Sequence, residues 1–252
     1  MAKNRLILNS DKTHLLIMAS TSKHRTHQDF NITLDTGNEI IKPEKYELLL
    51  GGFISNDLTW NEHIRDNKKS MIKKLTSRVN ILTKVAQIAD FKTRKMIANG
   101  IIMSTIVYII QAWGNCSEAL LSSIQIIQNK AARLVCKASI YTPISTLLRN
   151  CGWLSVRQLV VYHSLLLLFK IKRDKKPVYF YQKFSRQFHY GTRLADSGGI
   201  RFDHKVTNEI SKENFSYKFS NIGTTYPPNS DSHKQYQILN LILFSPLLFL
   251  LR

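Results

Sequence analysis

Thr59-Trp60-Asn61-Glu62 opens the stretch that decides the fold, and Met71-Ile72-Lys73-Lys74-Leu75-Thr76-Ser77-Arg78-Val79-Asn80-Ile81-Leu82-Thr83-Lys84-Val85-Ala86 completes it. Here the hydrophobic period changes. Met71, Leu75, Val79, Leu82 and Val85 or Ala86 recur every third or fourth residue, which puts them in one stripe along a helix. Thr59 and Glu62 have the Ser/Thr-x-x-Glu spacing of a capping box, so a helix is expected to start at Trp60.

Working upstream, residues 1–57 read as strands and turns. Leu15-Leu16-Ile17-Met18 is a short apolar run suited to a buried strand. Phe30-Asn31-Ile32-Thr33-Leu34 alternates, Asp35-Thr36-Gly37-Asn38 is a turn, and Glu39-Ile40-Ile41 can return antiparallel. Tyr46 to Ile54 reads as a third strand broken at Gly51-Gly52, where paired glycines signal a bulge or a close backbone approach.

Working downstream, Asp90 is positioned to cap a helix from Phe91 to about Ala112, whose middle, Ile101 to Ile110, is apolar on nearly every side and so suits a buried central helix ending at Gly114. A further helix, Glu118 to Lys137, carries Leu120, Ile124, Ile127, Ala131 and Leu134 on one face. Thr142-Pro143 places a proline at a first helical position, and Cys151-Gly152 closes that short helix. Ser155 and Gln158 form a second capping box, for a helix to about Lys172. Residues 177–221 read as irregular, with a short helix and loops. The expected class is α+β, mainly helical: a short antiparallel β part at 1–57, a helical bundle at 58–176, the irregular segment, and a poorly ordered tail at 222–252.

The apolar fraction, 44%, allows an ordinary core, while 36 Lys+Arg against 17 Asp+Glu gives a formal charge of +19. Such an excess favours a polyanionic partner, because neutralising phosphates releases counterions. The three cysteines, Cys116, Cys136 and Cys151, are odd in number and widely spaced without a C-x-x-C, which argues for buried reduced thiols in an intracellular protein and against a disulfide framework, a disulfide-linked partner or a zinc site. The apolar run Leu239 to Leu251 is short and interrupted by Pro246, so no membrane span is expected. The eight histidines suggest no site: His24 and His27 lack Cys or carboxylate company, and His163 falls on an apolar helix.

Several segments, taken in order, carry a family resemblance. They are Asn9-Ser10-Asp11-Lys12-Thr13, Tyr46 to Gly52, Leu58-Thr59-Trp60 with Glu62-His63-Ile64, Gln111-Ala112-Trp113-Gly114, Gln128 to Leu134, Thr142-Pro143 and Gly152-Trp153-Leu154-Ser155-Val156. In this order they resemble the end of the palm, the thumb and the post-thumb region of non-LTR (LINE-like, jockey-like) retrotransposon reverse transcriptases, over about Asn4 to Asn221. The resemblance implies that Lys12 is the lysine facing the pyrophosphate leaving group, and that Leu50, Gly51 and Gly52 belong to a primer-grip-like hairpin. Leu49 stands where the family usually has an aromatic residue.

Polymerisation by that family needs Mg²⁺ held by paired carboxylates. The resemblance places that Asp-Asp pair upstream of Asn9, and none occurs in this sequence. Asp57 suits a turn and Asp90 a cap; no metal residue and no cofactor are expected, and the chain is not expected to synthesise DNA on its own. What the resemblance leaves is backbone-directed binding of RNA, DNA or an RNA–DNA hybrid by a basic thumb helix: Arg65, Lys68, Lys69, Lys73, Lys74, Arg78, Lys84, Lys92, Arg94 and Lys95. A solvated basic helix in a non-enzymatic interaction protein is the alternative. The family's Trp-Asn-x-Leu-Pro turn is missing after Phe215-Ser216-Tyr217, yet codons for Ile222 to Pro228 shifted by one base can spell it. A frameshift between about Lys218 and Ile222 is one reading and ordinary divergence the other; a shifted coding frame without that turn would dismiss the frameshift.

Overall fold

The computed structural model describes residues 9, 12–18, 34–35 and 40–184. Within them the chain is mainly helical, with small two-stranded sheets. It divides into two compact units between Ser77 and Arg78.

In the first unit, β1 (Leu15–Leu16) pairs with β4 (Pro43–Glu44), β2 (Leu34–Asp35) with β3 (Ile40–Ile41), and β5 (Tyr46–Leu49) with β6 (Gly52–Ser55). The β2/β3 return is antiparallel as expected, but β1 and β4 run parallel, so the β part is not wholly antiparallel. Tyr46 to Ile54 is not one strand. It folds back at Leu50-Gly51, and both turn residues have positive φ (48° and 81°), as a two-residue hairpin turn matching strand twist requires.

A helical turn does begin after Trp60, whose carbonyl accepts Ile64 N–H (2.9 Å), but it does not run on into the Met71 stripe. Thr59 does not cap it: Asp57, two residues upstream, takes the Thr59 N–H (3.0 Å) that Glu62 would have to accept in a capping box. The turn is π-helical over Glu62–Asp66 and packs on β6. The chain turns again at Asn67, whose side chain accepts from Lys69 N–H (2.8 Å), and α1 (Met71–Ile88) begins. The stripe read from the sequence is its inner face: Met71, Leu75, Val79, Leu82 and Ala86 are buried. Among the described residues of the first unit, Phe53, Ile64, Met71 and Leu75 are the buried large apolar side chains.

In the second unit, Asp90 accepts from Thr93 N–H (3.1 Å) and starts α2 (Phe91–Ala98), as expected. The continuous helix to Ala112 does not form. A π-helical segment at Asn99–Met103 leads into α3 (Ser104–Val107), and Ile109 adopts a left-handed conformation (φ 45°) before α4 (Ile110–Trp113). A run of β-branched residues has weak helix propensity, and tertiary contacts decide its path. Trp113 is fully buried, and its Nε1 donates to Tyr108 O (2.9 Å) across the break. Gly114 is required next because a Cβ there would stand 2.6 Å from Ile110 O and 2.8 Å from Val160 Cγ1.

Then come α5 (Glu118–Cys136), α6 (Ile144–Cys151), α7 (Val156–Asp174) and α8 (Val178–Phe184). Pro143 sits at the cap of α6 rather than inside its first turn, and Gly152 ends α6 with φ 65°. Ser155 and Gln158 make the reciprocal capping box of α7. α5 packs against α2, α6 and α7, and α4 and α8 pack against α7. Gln128, fully buried on α5, donates to Leu154 O (2.8 Å) and accepts from Gln125 Nε2 (2.8 Å). Most of the segment expected to be irregular, and the whole tail with its candidate frameshift, lie outside the described residues.

Candidate nucleic-acid interface

Ten cations between Arg65 and Lys95 were candidates, and the fold sorts them. In the first unit, Arg65, Lys68, Lys69, Lys73 and Lys74 are all exposed. They are close in sequence because the Asn67 turn and the first turn of α1 bring a Lys-Lys pair before the helix and another inside it, with Met71 and Leu75 facing inward between them. Arg65 is engaged by its neighbour, Nε donating to Asp66 Oδ1 (3.1 Å). No ion pair joins the four lysines to an acid among the described residues. The outward position of Lys73 and Lys74 comes from helix phase, whereas Lys68 and Lys69 lie on the turn before α1.

The second unit holds the other five. Lys84 and Lys92 are exposed. Arg78 is half-buried and donates Nη1 to Ile101 O (2.7 Å), a carbonyl in the π-helical segment. Arg94 is buried and donates Nε to Val135 O (2.8 Å) and Nη1 to Ala89 O, which ties α2 to the end of α5. Lys95 is half-buried beside Gly152, its Nζ 3.6 Å from where a Cβ would stand. Arg78 and Arg94 therefore hold backbone carbonyls rather than facing solvent.

Leu50 and Gly51 are at the tip of the β5–β6 hairpin with Leu50 82% exposed, while Gly52 is buried. Lys12 is exposed on a turn closed by Lys12 N–H to Asn9 O (3.3 Å).

Sequence reasoning missed the role of His63. The ring is buried, its Nδ1 accepts Phe53 N–H (3.4 Å), and it meets Trp60 edge-on at 5.9 Å between centroids. Burial, helped by the nearby Lys74 charge, lowers its pKa from 6.5 to about 4, so the ring is neutral at pH 7. Its place in Leu58-x-Trp60-x-x-His63 was the only signal. Asp57 is the turn residue expected: burial pushes its carboxyl up, but hydrogen bonds from Ser55 and Thr59 outweigh that and hold it below the usual range. His163 is half-buried, its pKa lowered by burial and then by Lys170.

A second grouping was also invisible in sequence. His14 Nδ1 donates to Glu44 Oε1 (3.0 Å) and lies 3.4 Å from Glu47 Oε2. One ligating atom from each residue falls within 4.8 Å of the others, which is compatible with a divalent cation. All three side chains are partly or largely exposed, and hydrogen bonding to Glu44 raises the His14 pKa, as expected for an ion-paired surface histidine. Among the described residues no single helix is long and apolar enough to cross a membrane. No family model, curated protein or solved structure matches the chain.

Proposed function

We propose that this chain is the thumb-containing part of a non-LTR retrotransposon reverse transcriptase and acts as a nucleic-acid backbone binder rather than a polymerase. The observation that carries the binding reading is the group Lys68, Lys69, Lys73 and Lys74: four exposed ammonium groups in seven residues, on the turn and first helical turn that precede a buried stripe. Phosphates are their natural counter-ions, and contacts of this kind track a backbone without reading bases. The family assignment rests on the ordered motifs of the sequence. The β5–β6 hairpin with its protruding Leu50 is consistent with a primer grip. No Asp-Asp pair occurs in the 252 residues, so no metal-dependent nucleotidyl transfer is assigned to them.

The test is fluorescence anisotropy of a labelled RNA–DNA hybrid titrated with the full chain over a range of salt. If each of the four lysines neutralises one phosphate, log K falls with log salt at a slope steeper than about −3, and replacing all four by Gln flattens it by about that amount. Circular dichroism checks that the variant remains helical. Absence of binding at low salt refutes the proposal. The rival reading, a basic helical interaction protein, has one observation in its favour: Ile81, Ile88, Met96 and Ile126 are exposed on the helices. It predicts no hybrid binding.

A further inference from the structure

Cys136 and Cys151 are widely spaced in sequence and were expected to be buried reduced thiols. The fold brings their sulfurs to 3.6 Å. Each is the last residue of its helix: Cys136 ends α5 and Cys151 ends α6. Each is followed by a left-handed residue, Lys137 (φ 49°) or Gly152 (φ 65°), so neither is gripped by a continuing helix. Cys151 is buried and Cys136 is half-buried. The third cysteine, Cys116, is buried near the start of α5, at the opposite end of that helix from Cys136.

We propose that Cys136 and Cys151 form a site of reversible oxidative modification, closing to a disulfide that joins the ends of α5 and α6 when a two-electron oxidant of the peroxide class reaches Cys136. The chemistry balances. The Cys136 thiolate attacks one peroxide oxygen, the O–O bond breaks, and hydroxide leaves to take up the proton that Cys136 released, giving a sulfenic acid and water. The Cys151 sulfur then attacks the sulfenic sulfur, the S–O bond breaks, and the Cys151 proton departs with the oxygen as a second water. Two thiols are oxidised by two electrons and one peroxide is reduced.

The order of attack is set by exposure, because Cys136 is the partner that solvent reaches. Protonation sets the same order: burial, then the contact with Cys136, pushes the Cys151 thiol up to about 12, which leaves it protonated and a poor first nucleophile. A disulfide needs sulfurs about 2.05 Å apart. The remaining approach is small, and rotation of two side chains at the last residues of their helices with a slight shift of the helix ends supplies it. The closed loop would contain residues 137–150. It would covalently fix the connection that Arg133 now holds through Nη1 to Ser139 O (2.8 Å) and Thr142 O (3.1 Å).

The test treats the reduced, folded full-length chain with stoichiometric hydrogen peroxide, then counts thiols after denaturation and maps peptides by mass. The expected result is a fall from three titratable thiols to one, loss of two hydrogens from the intact mass, and a linked peptide containing Cys136 and Cys151 that a dithiol reductant separates. Cys136→Ser should retain both of its thiols under the same treatment. The folded chain should also form the link faster than the chain in urea. Oxygen addition to Cys136 without a link, a link through Cys116, or equal rates folded and unfolded would each overturn the proposal.

Discussion

Acid should unlock the β5–β6 hairpin of the first unit through one residue, His63. Folded, its ring is 5% exposed and serves as the acceptor for Phe53 N–H. Burial and the Lys74 charge lower its pKa from 6.5 to about 4, whereas in the unfolded chain it titrates at the ordinary value. Between those values the unfolded chain binds a proton that the folded chain refuses, so stability rises with pH. The contribution is fully present above about pH 6.5, declines as pH falls, and is gone by about pH 4. At roughly 1.4 kcal/mol per pKa unit the displacement corresponds to about 3 kcal/mol, of which about 2–3 kcal/mol is lost by about pH 4.5. That is a large share of the roughly 5–15 kcal/mol that holds a typical domain together.

Urea unfolding of the full chain, followed by tryptophan fluorescence from about pH 7.5 to about pH 4.5, measures the loss, with His63→Gln as the comparison. Glutamine can accept from Phe53 N–H and does not titrate. The wild-type chain should lose about 2–3 kcal/mol more over that range than the variant. His163, whose pKa is also lowered, contributes equally to both proteins and cancels. Asp57 is held low, so its contribution disappears only below the ordinary carboxylate range, outside the window. Nuclear magnetic resonance gives an independent reading on the unmodified protein. A His63 ring titrating near 6.5, or identical pH dependence in wild type and variant, refutes the reasoning.

Arg94→Met removes the donors to Val135 O and Ala89 O from a buried site and should cost about 2–4 kcal/mol in chemical denaturation. The same variant should leave the salt slope of hybrid binding unchanged, because that guanidinium does not face phosphate. Gln128→Leu strands Leu154 O within the second unit, while Gln125 keeps Asn129 Oδ1 as acceptor, and stability from urea unfolding should fall by about 1–3 kcal/mol. Leu50→Asn relieves a leucine held at φ 48° beside Gly51 and should stabilise the first unit by about 1 kcal/mol, read as slower hydrogen exchange in β5 and β6.

What the sequence made legible was local. Asp90 caps α2, Ser155 and Gln158 make their box, Gly152 ends α6, and the Met71 to Ala86 stripe is the buried face of α1. In each case the decisive partners lie within a few helical turns. The Thr59 box had the same local credentials as the Ser155 box and failed because Asp57, two residues upstream, takes the Thr59 amide that Glu62 would have had to accept. The Ile101 to Ile110 run was apolar in every direction, so its pattern carried no phase from which to place the π-helical segment or the break at Ile109. The proximity of His14 to Glu44 and of Cys136 to Cys151 is tertiary, and spacing along the chain is silent about it.

Charge in the candidate interface obeys the same limit. Ten cations in sequence suggested a basic thumb helix that binds a nucleic-acid backbone. Helix phase separates them, because the Asp90 cap fixes the register of α2 and turns Lys92 outward while Arg94 points inward. The π-helical segment presents the Ile101 carbonyl that engages Arg78, and Asp66 engages Arg65. The number of phosphates this chain can neutralise is therefore set by register and by competing acceptors, not by the count of lysines and arginines. For the first unit that leaves Lys68, Lys69, Lys73 and Lys74, and a salt slope that survives replacement of all four would have to come from other residues.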